Sequence, residues 1–171
     1  TYYEFSGATF APMLTNHNNL VILRSFSKWA GLAGLRIGYG LMAPEIATNL
    51  LRLKSPYNIS VAAELALEIS IEERGFLYKQ LNTIIQDRDR LSHELNGIPG
   101  ITVYPSQANF VLCELPSGKG KQVYMALAQR GIFVRYFEIK RLRDFIRITV
   151  GLPYQHEQLL RAIRSCLEEL S

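Results

Sequence analysis

The sequence predicts an α/β fold, and three patterns carry that prediction. Val21-Ile22-Leu23-Arg24-Ser25-Phe26 is nearly continuous in apolar character, as in a strand covered on both faces within a parallel or mixed sheet flanked by helices. Residues 60–96 place Leu77, Leu81, Ile84, Arg88, Leu91 and Leu95 at steps of three and four, the spacing of one helical face. From Ile101 to Leu170 short apolar runs alternate with helical segments, which predicts helices layered on a sheet.

The elements follow in order. Tyr2-Tyr3-Glu4-Phe5 reads as the tail of a strand, and Thr15-Asn16-His17-Asn18-Asn19 as a polar loop. Val21 to Phe26 is the next strand. Gly31-Leu32-Ala33-Gly34-Leu35-Arg36 is irregular backbone leading into a strand from Ile37 to Met42, and Pro44 suits the first turn of a short helix ending near Lys54. Residues 60–96 read as one long helix, with Lys79, Gln86, Asp87, Arg90 and Glu94 largely off its apolar stripe. Asn96-Gly97-Ile98-Pro99-Gly100 stops that helix, and a domain boundary is placed there, giving residues 1–96 and 97–171. The second part reads strand, strand, helix, strand, strand, helix: Ile101 to Tyr104, Asn109 to Leu115, Lys121 to Arg130, Ile132 to Arg135, Phe145 to Val150 and Tyr154 to Leu170.

Composition narrows the function. A chain of 171 residues, 48% hydrophobic and 20% charged, suits a folded globular protein. No run reaches the roughly 18 apolar residues of a bilayer-spanning helix, so no membrane partner is expected. Cys113 and Cys166 lack Cys-x-x-Cys spacing, which suggests neither a disulfide scaffold nor a zinc site and makes a reducing cytoplasm the expected location. His17, His93 and His156 are isolated and suggest no metal site. The net charge of +4 is spread along the chain. Its densest stretch, Lys140-Arg141-Leu142-Arg143, reads as a solvated loop, so no nucleic-acid partner is expected. Gly38-Tyr39-Gly40-Leu41-Met42-Ala43 has the loose form G-x-G-x-x-A, yet no well-placed acid follows about twenty residues on to hold a ribose. Ser117-Gly118-Lys119-Gly120-Lys121 lacks the spacing of a phosphate loop and reads as a loop capping the next helix.

The most informative stretch runs from Ser25 to Tyr39. It sets two hydroxyls, a lysine and an arginine on irregular backbone just beyond a strand, where ligands of open α/β sheets bind. Ser25, Ser27 and Arg36 have the chemistry of phosphate ligands, with Lys28 beside the bound anion. A lone loop lysine is usually a solvated charge, and a catalytic one needs partial desolvation to lose its proton near neutral pH.

Ser25-Phe26-Ser27-Lys28 with Leu32-Ala33-Gly34-Leu35-Arg36, then Pro56-Tyr57-Asn58, Ser106-Gln107-Ala108-Asn109-Phe110 and Arg147-Ile148-Thr149-Val150-Gly151, resembles the fold type I pyridoxal-phosphate aminotransferases, most closely their histidinol-phosphate branch. The resemblance covers essentially the whole chain. It implies the C-terminal part of that fold: the end of a large mixed-sheet domain, a long linking helix and a small α+β domain. It implies pyridoxal 5'-phosphate as cofactor, with Lys28 as the lysine that holds the cofactor aldehyde covalently and shuttles the reaction's proton. Ser25, Ser27 and Arg36 resemble the cofactor-phosphate ligands, and Tyr2 the tyrosine at the cofactor's phenolic oxygen. Arg147 resembles the arginine that pairs with the substrate α-carboxylate, and Arg135 a second substrate-side arginine for a distal phosphate. Tyr57 resembles a cofactor or dimer-interface contact. Small-molecule amino-acid and 2-oxo-acid substrates and a homodimer are implied as partners.

The family's aspartate at the ring nitrogen would lie three positions before Tyr2, ahead of residue 1, so the chain is expected to be a fragment. Exposed apolar surface and self-association are expected with it. Read without the resemblance, Tyr2 suits a sheet-edge aromatic, and Arg135 and Arg147 suit partly exposed positions of amphipathic strands. Two other functions stay open: a threonine-phosphate decarboxylase of the same lineage, and a non-catalytic truncated domain.

Overall fold

Two antiparallel sheets organise the chain, which a computed structural model describes over residues 1–170. The mixed α/β character is as the sequence predicts. Contacts divide the chain into two units, Thr1–Leu81 and Asn82–Ser171.

The first unit begins with a single helical turn, α1 (Tyr3–Ser6), where the sequence suggested a strand tail. The Phe5 and Ser6 N–H groups both donate to the Tyr2 carbonyl, and Gly7 closes the turn in the left-handed region at φ 69°, a conformation that favours glycine. Strand β1 (Val21–Ser25) pairs with β2 (Gly38–Met42) in antiparallel register, Val21 opposite Met42 and Ser25 opposite Gly38. The expectation of a strand covered on both faces fails: Leu23 is 74% exposed, because β1 has a single strand partner among the described residues and little packs over its outer face. Helix α2 (Pro44–Leu53) starts on its proline as expected. Helix α3 (Val61–Glu72) is capped by Ser60, whose Oγ accepts the Ala63 N–H at 3.2 Å. A small core of Phe26, Ala30, Ile37 and Ala63, flanked by Trp29, Leu32, Leu67 and Leu77, holds this unit.

The single helix expected over residues 60–96 is two. After α3 the backbone leaves helical geometry at Glu73, and α4 (Arg74–Asn96) starts anew. Arg74 donates from Nη1 to the Ile71 carbonyl at 3.1 Å and so satisfies one of the acceptors that the break strands. The stripe on α4 is real, since Leu81, Arg88, Leu91 and Leu95 are buried. Asp87, expected on the solvent side, is buried as well. The boundary between the two units falls within this helix.

The second unit is a four-stranded sheet in the order β3-β4-β6-β5, formed by β3 (Thr102–Tyr104), β4 (Phe110–Glu114), β5 (Arg135–Tyr136) and β6 (Phe145–Thr149). Side chains alternate along β4 and β6. Val111, Cys113, Ile146 and Ile148 face the core, whereas Phe110, Leu112, Glu114, Phe145, Arg147 and Thr149 face away. Helix α5 (Gly120–Gln129) and helix α6 (Pro153–Glu169) contribute Val123, Leu127, Leu159, Leu160 and Ile163 to the same core, which Leu91 and Leu95 of α4 complete. The strand expected from Ile132 begins only at Arg135. Gly131 at φ 73° and the Ile132 N–H donating to the Leu127 carbonyl spend those residues on ending α5. Gly120 is required where α5 starts, because a Cβ there would lie 2.2 Å from the Arg143 carbonyl oxygen.

Leu91 is fully buried at the centre of this core. Leu91→Ala is expected to lower the unfolding free energy of the second unit by about 2–5 kcal/mol, measured by urea denaturation.

Candidate functional site

The polar residues singled out by sequence fall into one group in each unit. In the first, Ser25 ends β1 and the chain turns over residues 27–30. The Ser25 hydroxyl donates to Ser27 Oγ at 2.8 Å and accepts the Ser27 N–H at 3.1 Å. Phe26 between them points into the small core, which leaves the two half-buried hydroxyls side by side. Lys28 stands exposed on the turn, flanked by half-buried Trp29 and buried Ala30, so the desolvation expected of a catalytic lysine is not provided by this chain alone.

Arg36 is the single non-glycine residue at positive φ among those described, at φ 55° and ψ 40°. Holding an arginine in the left-handed region costs about 1–2 kcal/mol. Its guanidinium is exposed and donates from Nη1 to the Ala33 carbonyl at 2.7 Å. Gly38 follows where β2 passes close to β1, because a Cβ would meet the Arg24 carbonyl oxygen at 2.5 Å. The glycines of the G-x-G-x-x-A pattern therefore serve strand packing, and Gly38 and Gly40 lie inside β2 instead of in a phosphate-cradling loop.

Tyr2 precedes α1, half-buried, with its ring 6.2 Å from that of Phe5. The segment is tied to β1 through Arg24, whose guanidinium lies 3.5 Å over the Tyr3 ring and donates to Thr9 Oγ1 at 2.7 Å. That contact brings the N-terminal residues beside the strand that ends in Ser25.

In the second unit Arg135 and Arg147 are direct cross-strand partners on β5 and β6 and share the sheet face turned from the core. Two like charges placed opposite each other destabilise a sheet, so the pair is suited to an anion between or above them. Arg147 is half-buried, its guanidinium carbon 4.9 Å over the Phe110 ring, and its Nε is buried without a hydrogen-bond partner. Arg135 is exposed and lies 5.7 Å over the Phe137 ring.

Sequence reasoning missed three buried polar residues of this unit, Asp87, Arg88 and His156. Arg88 Nη1 donates to the Ala108 carbonyl at 3.4 Å, while Nε and Nη2 bind Asp89 Oδ1 at 2.9 and 2.8 Å. His156 Nε2 accepts the Gly151 N–H at 3.0 Å. Arg88 carries one signal in the sequence, its place on an otherwise apolar stripe, whereas Asp87 and His156, one histidine among three, carry none.

Burial holds the His156 pKa below its usual 6.5; Asp87 and Glu94 oppose the shift and Arg90 adds to it. The unfolded chain therefore takes up a proton before the folded one. The stabilising contribution of neutral His156 is complete above about pH 6.5 and is lost as pH falls through the lower folded-state value. Urea unfolding between pH 7.5 and 5 is expected to show the wild type losing stability relative to His156→Gln, which carries no titrating group there.

The sequence profile of the aminotransferase class I and II family matches residues 1–164. The histidinol-phosphate aminotransferase of Roseiflexus castenholzii is 45% identical over 166 residues, covering 95% of this chain and 45% of that protein. Among solved structures, the histidinol-phosphate aminotransferase from Clostridium acetobutylicum superposes with a TM-score of 0.87 at 29% identity, over 97% of this chain and 52% of its own. That from Sinorhizobium meliloti, in complex with pyridoxal-5'-phosphate, gives 0.84 at 25% identity, over 99% and 48%. The chain thus spans about half the length of the relatives it matches. With the serine-lysine turn, the left-handed arginine and the strand-borne arginine pair all lying inside the matched segment, this chain belongs to the aminotransferase class I and II family.

Proposed function

We propose that this chain carries the lysine-bearing part of a pyridoxal-phosphate-dependent aminotransferase that exchanges an amino group between histidinol phosphate and 2-oxoglutarate. The observation that carries the reading is the turn after β1, where paired Ser25 and Ser27 hydroxyls directly precede Lys28. Identity of 43–45% to histidinol-phosphate aminotransferases over most of the chain supports the substrate assignment.

The donor set fits the cofactor. Two hydroxyls 2.8 Å apart and an exposed guanidinium offer the single and forked donors that a phosphate accepts, and Tyr2 supplies a hydroxyl on the segment tied to β1. When bound, pyridoxal phosphate supplies an aldehyde that condenses with amines and a ring that takes up the electron pair of the substrate α-carbon. Ser25, Ser27 and Arg36 anchor the anionic end. Lys28 Nζ would hold the aldehyde carbon and, when free, would carry the proton of the substrate α-carbon. Arg147 grips the α-carboxylate and Arg135 the distal phosphate, each through a planar fork of N–H donors.

The working state in this reading is a homodimer in the cytoplasm. Around the α2–α3 connection Leu51, Leu53, Tyr57 and Val61 are 65, 83, 91 and 81% exposed, apolar side chains of the kind that a contact with another surface covers.

Borohydride reduction of the intact protein with its cofactor is expected to fix the pyridoxyl group on Lys28, found by peptide mass. Lys28→Ala is expected to abolish the label and to lower the transamination rate by at least about 10²–10⁴-fold. Labelling elsewhere, or none, rejects the reading.

A further inference from the structure

Asp87, Arg88 and His156 are 6, 8 and 4% exposed, and no other polar side chain among the described residues is as deeply buried. They converge on one end of the second sheet. Arg88 reaches the Ala108 carbonyl and His156 takes the Gly151 N–H. Asp87, ion-paired with Arg90, is close enough to His156 to act on its charge. Between these two anchored residues lie the last rungs of the β4–β6 ladder: Phe110 opposite Thr149, and the Val150 N–H donating to the Asn109 carbonyl at 3.0 Å. Ser106 adds a local tie, its hydroxyl donating to the Phe110 carbonyl and accepting the Ala108 N–H at 3.2 Å.

We propose that Arg88 and His156 are positioning residues for Arg147: they clamp the chain segment entering β4 and the one leaving β6, and so hold the Phe110 ring beneath the Arg147 guanidinium. The proposal rests on the reading of Arg147 as the grip on the substrate carboxylate. Strand ends fray first, and Phe110 is the first residue of β4 while Arg147 lies two residues from the end of β6. Arg147 Nε has no acceptor in the protein, so its direction is set by the ring at 4.9 Å and by the backbone that presents both. Arg88 adds little to stability through its ion pair with solvent-exposed Asp89. Two buried side chains, one fixed to the entry of β4 and one to the exit of β6, instead confine these segments to one geometry, which a two-pronged carboxylate contact requires.

The test uses the intact protein with cofactor. His156→Leu, His156→Asn, which is polar but too short to reach Gly151, and Arg88→Met are each expected to raise KM for the amino donor about tenfold, since misplacement by about 1 Å can cost up to a hundredfold. The kcat is expected to stay within about twofold, the pattern of lost ground-state and transition-state binding in equal measure. The calorimetric Kd for 2-oxoglutarate is expected to rise in parallel. His156→Gln, whose Oε1 can accept the same N–H, is expected to restore both. In an Arg147→Gln background, His156→Asn is expected to add nothing. If Arg147→Gln itself leaves KM unchanged, the substrate reading of Arg147 falls and takes this inference with it. If Arg147→Gln raises KM while the position 88 and 156 variants lower only the melting temperature, Arg147 keeps its role and the positioning proposal alone is overturned. His156→Leu failing to fold leaves the decision to His156→Asn against His156→Gln.

Discussion

Parity along paired strands is the constraint on which both units depend. A strand sends successive side chains to opposite faces, and antiparallel pairing locks one strand's parity to its neighbour's. In the second unit the register that sets Val111 against Ile148 and Cys113 against Ile146 buries all four. The same register fixes Leu112 opposite Arg147 and Arg147 opposite Arg135 on the other face. A slip of one residue would bury two arginines and expose the core. Hydrophobic burial therefore orients the arginine pair, although the arginines contribute nothing to that core.

The first unit uses a related division at a chain reversal. Phe26 is driven inward with Ala30 and Ile37, and the residues on either side of it are left to face away. The serine hydroxyls then find each other because a turn brings the i and i+2 side chain and backbone into hydrogen-bond range. Arg36 occupies a conformation that costs energy for any residue with a Cβ, and the short helical turn of residues 33–35 followed at once by β2 leaves it no alternative. Strain persists where surrounding structure over-determines it, and here the determinants are the paired strands on both sides.

The buried polar residues of the second unit follow a different logic. Each polar group taken out of water must be satisfied. Arg88 meets this with Asp89 and a backbone carbonyl, Asp87 with Arg90, and His156 with a backbone N–H. Two of these contacts, Arg88 to Ala108 and His156 to Gly151, reach backbone atoms just beyond strand ends, where the sheet ladder stops. Helices α4 and α6 thus do more than cover the sheet: they finish the hydrogen bonding of its end.

Much of this was legible in the sequence. The α/β character, the strands at residues 21–25 and 38–42, the helix starting at Pro44, three of the four strands and both helices after residue 100, and the serine-lysine-arginine stretch all follow from local patterns, because periodicity, proline and glycine act within a few residues. Other features were not. Tyr3–Ser6 is helical because Gly7 closes a turn that a four-residue apolar run does not announce. The break at Glu73 lies inside a segment whose periodicity alone reads as continuous. Asp87 and His156 have no local mark, since their burial depends on the elements packed around them. What the sequence by itself determined is where hydroxyl, lysine and arginine side chains gather along the chain and which face of each element seeks the core. Which arginines stand opposite one another, and which polar groups are shut away from water, was decided only when strands distant in the chain chose their register, because burial and hydrogen bonding are properties of neighbours in space.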